Sequence, residues 1–175
     1  LMMDFPLTLD FILRRAEVFS RDTEIVTRLP DKSWHRYTYG DMARRAKQLA
    51  LTLGKLGVKP GDRVATLCWN HYRHLETSFA IPIIGAVMHT LNLRLHPDDL
   101  AFIANDAEDK VLIVDESLLP LLQEFQDRAP FRHVVVVGER DGAHENALDY
   151  ETLLAETREQ DFEHRELDEH SAAIM

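Results

Sequence analysis

The chain has 175 residues, 45% of them apolar and 29% charged, which suits one domain with a packed core and is too short for two. Thirty acidic against 20 basic residues leave a net charge of −10, which argues against a nucleic-acid binder, a class that needs a basic face. No apolar run approaches the ~18 residues of a membrane span, the single Cys68 excludes an internal disulfide and a cysteine-rich metal site, and the start lacks the pattern of a signal peptide, so a cytoplasmic location is expected.

The charge is unevenly placed. Residues 1–100 carry a net +3 and residues 101–175 a net −13. Twelve acids and three bases fall within 139–169, which reads either as a solvated, partly extended surface segment or as a docking strip for a basic partner.

Thr8 is placed to cap a helix over 9–20, with Leu9, Ile12, Leu13, Ala16 and Phe19 on one apolar stripe. Residues 24–29 alternate as a strand, Pro30-Asp31-Lys32-Ser33 turns the chain, and 34–37 return as the second strand of a hairpin. Thr38 and Asp41 resemble a capping box ahead of a helix to about residue 56. Met42, Ala46, Leu49, Leu53 and Leu56 line its inner side, and Arg44, Arg45, Lys47 and Lys55 are expected outside. Gly57 ends that helix, and Lys59-Pro60-Gly61-Asp62 has the composition of a type II turn.

Residues 63–68 form an apolar strand. Asn70 is the expected cap of the next helix, which carries Leu75, Phe79 and Ile83 and is kinked or ended by Pro82. A strand over 87–90 follows, then a helix opened by Pro97, Asp98 and Asp99, and a strand over 110–115. A helix over 117–128, a strand over 133–137 and a short helix over 150–156 behind Asp149 complete the series. This alternation predicts an α/β fold: a mostly parallel sheet flanked by helices, with a small N-terminal β-hairpin. Ser171-Ala172-Ala173-Ile174-Met175 opens one more apolar run, as a strand that further chain would continue.

The chemistry is sparse. No P-loop is present, Gly54, Gly57 and Gly61 have the wrong spacing for a dinucleotide fingerprint, and no nucleophile elbow occurs. Cys68, His71 and His74, with Glu76 following, read either as a zinc or copper clamp or as a core cysteine beside helix-edge histidines. Asp98 and Asp99 read as dipole partners. Asp115 and Glu116 resemble the acidic strand end of a phospho-accepting receiver domain, although they close about the third parallel strand rather than the first. Asn92 and Arg94 fall at the ligand-binding edge of a parallel sheet, where Arg94 would anchor a carboxylate or pin a loop through carbonyls.

Taken in order and spacing, several pieces resemble one family. They are Thr38-Tyr39-Gly40-Asp41, Leu56-Gly57-Val58, Lys59 through Ala65, Trp69-Asn70, Gly85-Ala86-Val87, Asn92-Leu93-Arg94-Leu95 and Lys110 through Asp115. Together they resemble the N-terminal part of an AMP-forming acyl-CoA synthetase, in the adenylate-forming superfamily. Asn70 through Glu76 and His89-Thr90-Leu91-Asn92 point to its medium- and long-chain fatty acid branch. The resemblance implies that 1–175 is an N-terminal subdomain, with 138–170 an acidic, loop-rich segment. It implies Mg-ATP and coenzyme A as reactants, a fatty acid substrate, and a homodimer formed through the N-terminal region. The family's phosphate loop would begin just after Met175, so no catalytic, cofactor-binding or metal residue is assigned here, and this piece alone is expected to be inactive with nothing bound. The rival reading is a non-catalytic dimerisation or interaction module.

Overall fold

A computed structural model of the protein describes residues 5–138 and 147–175. The first helix, α1 (Leu9–Phe19), is capped by Thr8, whose hydroxyl accepts from the Phe11 N–H. Its burial differs from the expected stripe: Leu13 and Asp10 are buried, while Ile12 and Phe19 face outward. The hairpin pairs β1 (Glu24–Arg28) with β2 (Trp34–Thr38), antiparallel, as a sheet of its own.

The capping box forms as predicted. Thr38 Oγ1 accepts from the Asp41 N–H at 3.2 Å, and Asp41 accepts from the Thr38 N–H at 3.2 Å. Behind it runs α2 (Tyr39–Lys55).

The main sheet is parallel and has the strand order β4-β3-β5-β6-β7. Its strands are β3 (Arg63–Leu67), β4 (Val87–Thr90), β5 (Val111–Asp115), β6 (His133–Val137) and β7 (Leu148–Asp149). Alternate residues serve two cores. Val64, Val111, Ile113 and Val135 pack with α2 and with α3 (Tyr72–Ile83) and α6 (Tyr150–Ala155). Ala65, Leu67, Leu112, Val114 and Val136 pack with α4 (Pro97–Asp106) and α5 (Leu119–Gln123). Both faces are covered, so the strands are mainly apolar on both sides.

Two elements depart from expectation. The predicted helix over 117–128 is three short pieces, 3₁₀ turns at Glu116–Leu118 and Gln126–Arg128 flanking α5, whose first turn holds Pro120, where a missing N–H costs nothing. The strand β7 has two residues, too few to show a period.

The final residues do join the sheet. Met88 on β4 forms a parallel bridge with Ile174, its N–H donating to the Ala173 carbonyl and its carbonyl accepting from the Met175 N–H, both at 2.9 Å. Between α6 and this bridge the chain runs as a strap without helix or strand. It is held by His164, which donates to Asp10 at 2.6 Å, and by Glu169, which accepts from the Leu7 N–H at 2.7 Å. Leu167 rests against Gly85, whose φ of +78° and 3.2 Å clearance between a built Cβ and Pro60 explain why glycine stands there. Residues 1–4 of the N-terminal region and 139–146 of the acidic segment lie outside the described residues.

Candidate functional site

A parallel sheet offers its ligand-binding crevice where neighbouring strands send their loops to opposite faces. Here β3 leads to α3 on one face and β5 leads to α5 on the other, so the crevice opens between their carboxyl ends. Asp115 occupies it. Oδ2 accepts from the Trp69 N–H at 2.6 Å, and Oδ1 accepts from His71 Nε2 at 2.7 Å. His71 Nδ1 in turn accepts from the His74 N–H at 3.2 Å, which fixes the proton on Nε2 and makes His71 the cap of α3. The expected cap, Asn70, is exposed one residue earlier, because the hold on Trp69 sets where the turn ends.

The edge is otherwise open. Trp69 is 54% exposed, with its indole N–H on Ser117 Oγ at 3.2 Å. A cleft of about 270 Å³ runs from here beneath the hairpin, lined by Ile25, Thr27, Asn70, His71, Tyr72, His74 and Leu75. Beside β5, Glu116 packs over Gly138, where any Cβ would lie 2.7 Å from the Glu116 Cβ. Met175 reaches the same edge next to β4, its carbonyl accepting from the Thr90 N–H at 3.3 Å.

A second polar centre lies under the helices. Glu76 on α3 is fully buried. Its Oε1 accepts from Arg45 Nε and its Oε2 from the Tyr150 hydroxyl, each at 2.7 Å. Arg45 also grips Glu151 with both terminal nitrogens at 2.9 Å, and Glu151 accepts from Arg73 Nε at 2.7 Å. Burial pushes the Glu76 carboxyl up, against the pull of Arg45 and Tyr150. Burial, with Glu76 next, holds the Tyr150 phenol well above its ordinary range. This network joins α2, α3 and α6, and it corrects the expectation that Arg45 looks outward.

The proposed metal clamp is not assembled. Cys68 donates to the Ile113 carbonyl at 3.4 Å, and burial, then Asp115, pushes its thiol up. His71 serves Asp115, His74 lies 3.3 Å from Thr66 Oγ1, and Glu76 is under Arg45. Among the described residues no three His, Cys, Asp or Glu side chains gather as a metal site. The receiver reading is corrected too: both Asp115 oxygens accept from N–H groups of the turn after β3, so this carboxylate anchors that turn to the strand end. Asn92 and Arg94 are exposed; Asn92 Oδ1 accepts from the Arg94 N–H at 3.1 Å, closing a turn, and the arginine side chain pins no carbonyl among the described residues. Asp98 sits in the first turn of α4 and pairs with Arg128 at 2.5 Å.

The comparisons with known proteins point one way. A long-chain-fatty-acid–CoA ligase of Thermus thermophilus is 48% identical over 157 residues, covering 89% of this chain and 28% of its own length. A 3-methylmercaptopropionyl-CoA ligase of Ruegeria lacuscaerulensis is 37% identical over 181 residues, covering 99% of this chain and 33% of its own. The chain thus spans about a third or less of these curated relatives. In fold, it matches the crystal structure of an anthranilate CoA ligase with anthranoyl-AMP at a TM-score of 0.84 and 21% identity, over 98% of this chain and 31% of that one. The family described as AMP-binding enzyme matches residues 12–175. With the parallel sheet, the hairpin and the order of motifs in agreement, the chain belongs to the AMP-binding enzyme family.

Proposed function

We propose that this chain is the opening part of an ATP-dependent, AMP-forming ligase that joins a fatty acid to coenzyme A. The observation that carries the reading is the 48% identity, across 89% of the chain, to a long-chain-fatty-acid–CoA ligase. In the first step a carboxylate oxygen bonds to the α-phosphorus of Mg-ATP, and the bond to the β-phosphate breaks, releasing pyrophosphate. In the second, the sulfur of coenzyme A bonds to the acyl carbon, and AMP leaves with the electron pair. A free carboxylate is a poor acyl donor, and the adenylate supplies a good leaving group.

The described residues hold the scaffold for this chemistry rather than its reacting groups. The crevice between β3 and β5 is closed by Asp115, and no step is assigned to a residue of this chain. The proposal extends to a cytoplasmic location and to pairing of two copies through the N-terminal region, where Phe5, Leu7 and Phe11 are exposed. No helix among the described residues is long and apolar enough to cross a membrane.

The test is pyrophosphate–ATP isotope exchange with the protein that contains this chain. Exchange that requires a fatty acid, followed by AMP release that requires coenzyme A, is the expected result. Exchange indifferent to fatty acids of every chain length would overturn the substrate assignment. Residues 1–175 alone are expected to give none, and sedimentation of the protein is expected to show a dimer.

A further inference from the structure

The hairpin rests on α3 through an aromatic contact. His35 stacks on Tyr72, ring centroids 3.7 Å apart and planes 15° from parallel. Tyr37, two residues on and so on the same face of β2, meets Tyr72 at 5.5 Å edge-on. The guanidinium of Arg73 lies over the Tyr72 ring at 4.6 Å, and that of Arg45 at 5.8 Å. Within this stack His35 Nε2 is buried and has no hydrogen-bond partner among the described residues.

A neutral imidazole tolerates that position, since the orphaned nitrogen need only be an acceptor without a donor. An imidazolium does not, since it would bury an N–H and a charge with nothing to receive them. The acids nearby are already engaged. Asp41 on α2 serves Thr38 and Arg44. Glu151 on α6 holds Arg45 and Arg73, and Glu76 on α3 holds Arg45 and Tyr150. The cleft of about 490 Å³ bordered by His35 also presents Arg44, Arg45 and Arg73, three cations that a charged ring would face.

We infer that His35 is an acid-sensitive catch: the hairpin stays seated on α3 while the ring is neutral, and protonation at Nε2 releases it. Burial, then Arg73 and Arg45, hold the ring below the usual histidine range, against a smaller pull from Glu151. The sign follows from linkage. A depressed histidine leaves the contact at full strength above the ordinary value of 6.5 and weakens it as pH falls below that. His74, also lowered, chiefly by burial, lies under β1 and adds to the same window, so the readout must be specific to position 35.

Hydrogen exchange read by mass spectrometry at pH 7.5 and 5.0, corrected for intrinsic rates, tests the catch. Peptides covering 24–38 are expected to lose protection in acid relative to those covering β5, about tenfold for each pKa unit of depression. In His35→Phe, which keeps a stacking ring and cannot protonate, the loss is expected to shrink to the part due to His74. Unchanged hairpin protection in the wild type, or an undiminished loss in His35→Phe, overturns the inference. Should the phenylalanine not seat, NMR titration of the wild-type His35 ring decides: a midpoint below 6.5 that coincides with hairpin shifts supports the catch, and one at or above it does not.

Discussion

Asp115 ties a strand end to one turn and Glu76 ties three helices, and the two acids recruit different donors. Asp115 ends a strand at the rim of the crevice, 7% exposed, and is served by a backbone N–H and a neutral imidazole. Glu76 lies within a helix, wholly buried, and is served by a guanidinium and a phenol. At the strand end two N–H donors without full charge partner an acid that keeps a small exposure. Within the helix layer a guanidinium and a second bond offset the complete burial of Glu76. The comparison also separates roles: the Asp115 bonds shape an open sheet edge, and the Glu76 bonds fasten helices.

The largest expected effect comes from removing the buried acid. Glu76→Ala leaves Arg45 without one of its partners and the Tyr150 hydroxyl without its acceptor. Urea unfolding is expected to show a loss of about 3–5 kcal/mol, the range for breaking one side of a buried ion pair. Asp115→Ala orphans two donors of which neither carries a full charge, and is expected to cost about 1–3 kcal/mol. Equal losses in the two variants would erase the distinction drawn above.

The acid limb sharpens it further. Burial tends to raise Glu151, but its bonds to Arg45 and Arg73 win and hold it below the usual glutamate range. A depressed acid stabilises the fold above its unfolded value of 4.5, and that share disappears as pH falls through the lower folded value. Thermal melts from pH 7 to pH 3 are therefore expected to fall less steeply in Glu151→Gln than in the wild type.

What was legible in the sequence was local or repetitive. The Thr38 and Asp41 box spans three residues and forms as read. The strands β3, β5 and β6 announce themselves as apolar runs between turns, because both their faces are covered. Arg45 was not legible. By helical spacing it belongs with Arg44 on the outside, and its partner Glu151 stands 106 residues away. The start of α3 shifted by one residue for the same reason, since its position depends on a carboxylate 46 residues beyond Trp69. The division of 117–128 was not legible, since Pro120 is compatible with the first turn of a longer helix and no other breaker stands before residue 128. The family itself could be recognised because motif order survives where single contacts cannot be foreseen.

The smallest effect probes whether the open edge is held only through Asp115. Ser117 Oγ receives the Trp69 indole N–H at 3.2 Å, in a place where water can substitute. Ser117→Ala is expected to cost at most about 0.5 kcal/mol, the low end for a net hydrogen bond. Its signature is optical instead: the indole loses a fixed acceptor, so Trp69 emission should shift in a Trp34→Phe background while the unfolding midpoint stays nearly constant. A midpoint loss matching that of Asp115→Ala would mean that the serine, and not the carboxylate alone, sets the turn between β3 and α3. An unchanged emission would mean that the indole is positioned by its backbone, through the Asp115 bond to its N–H.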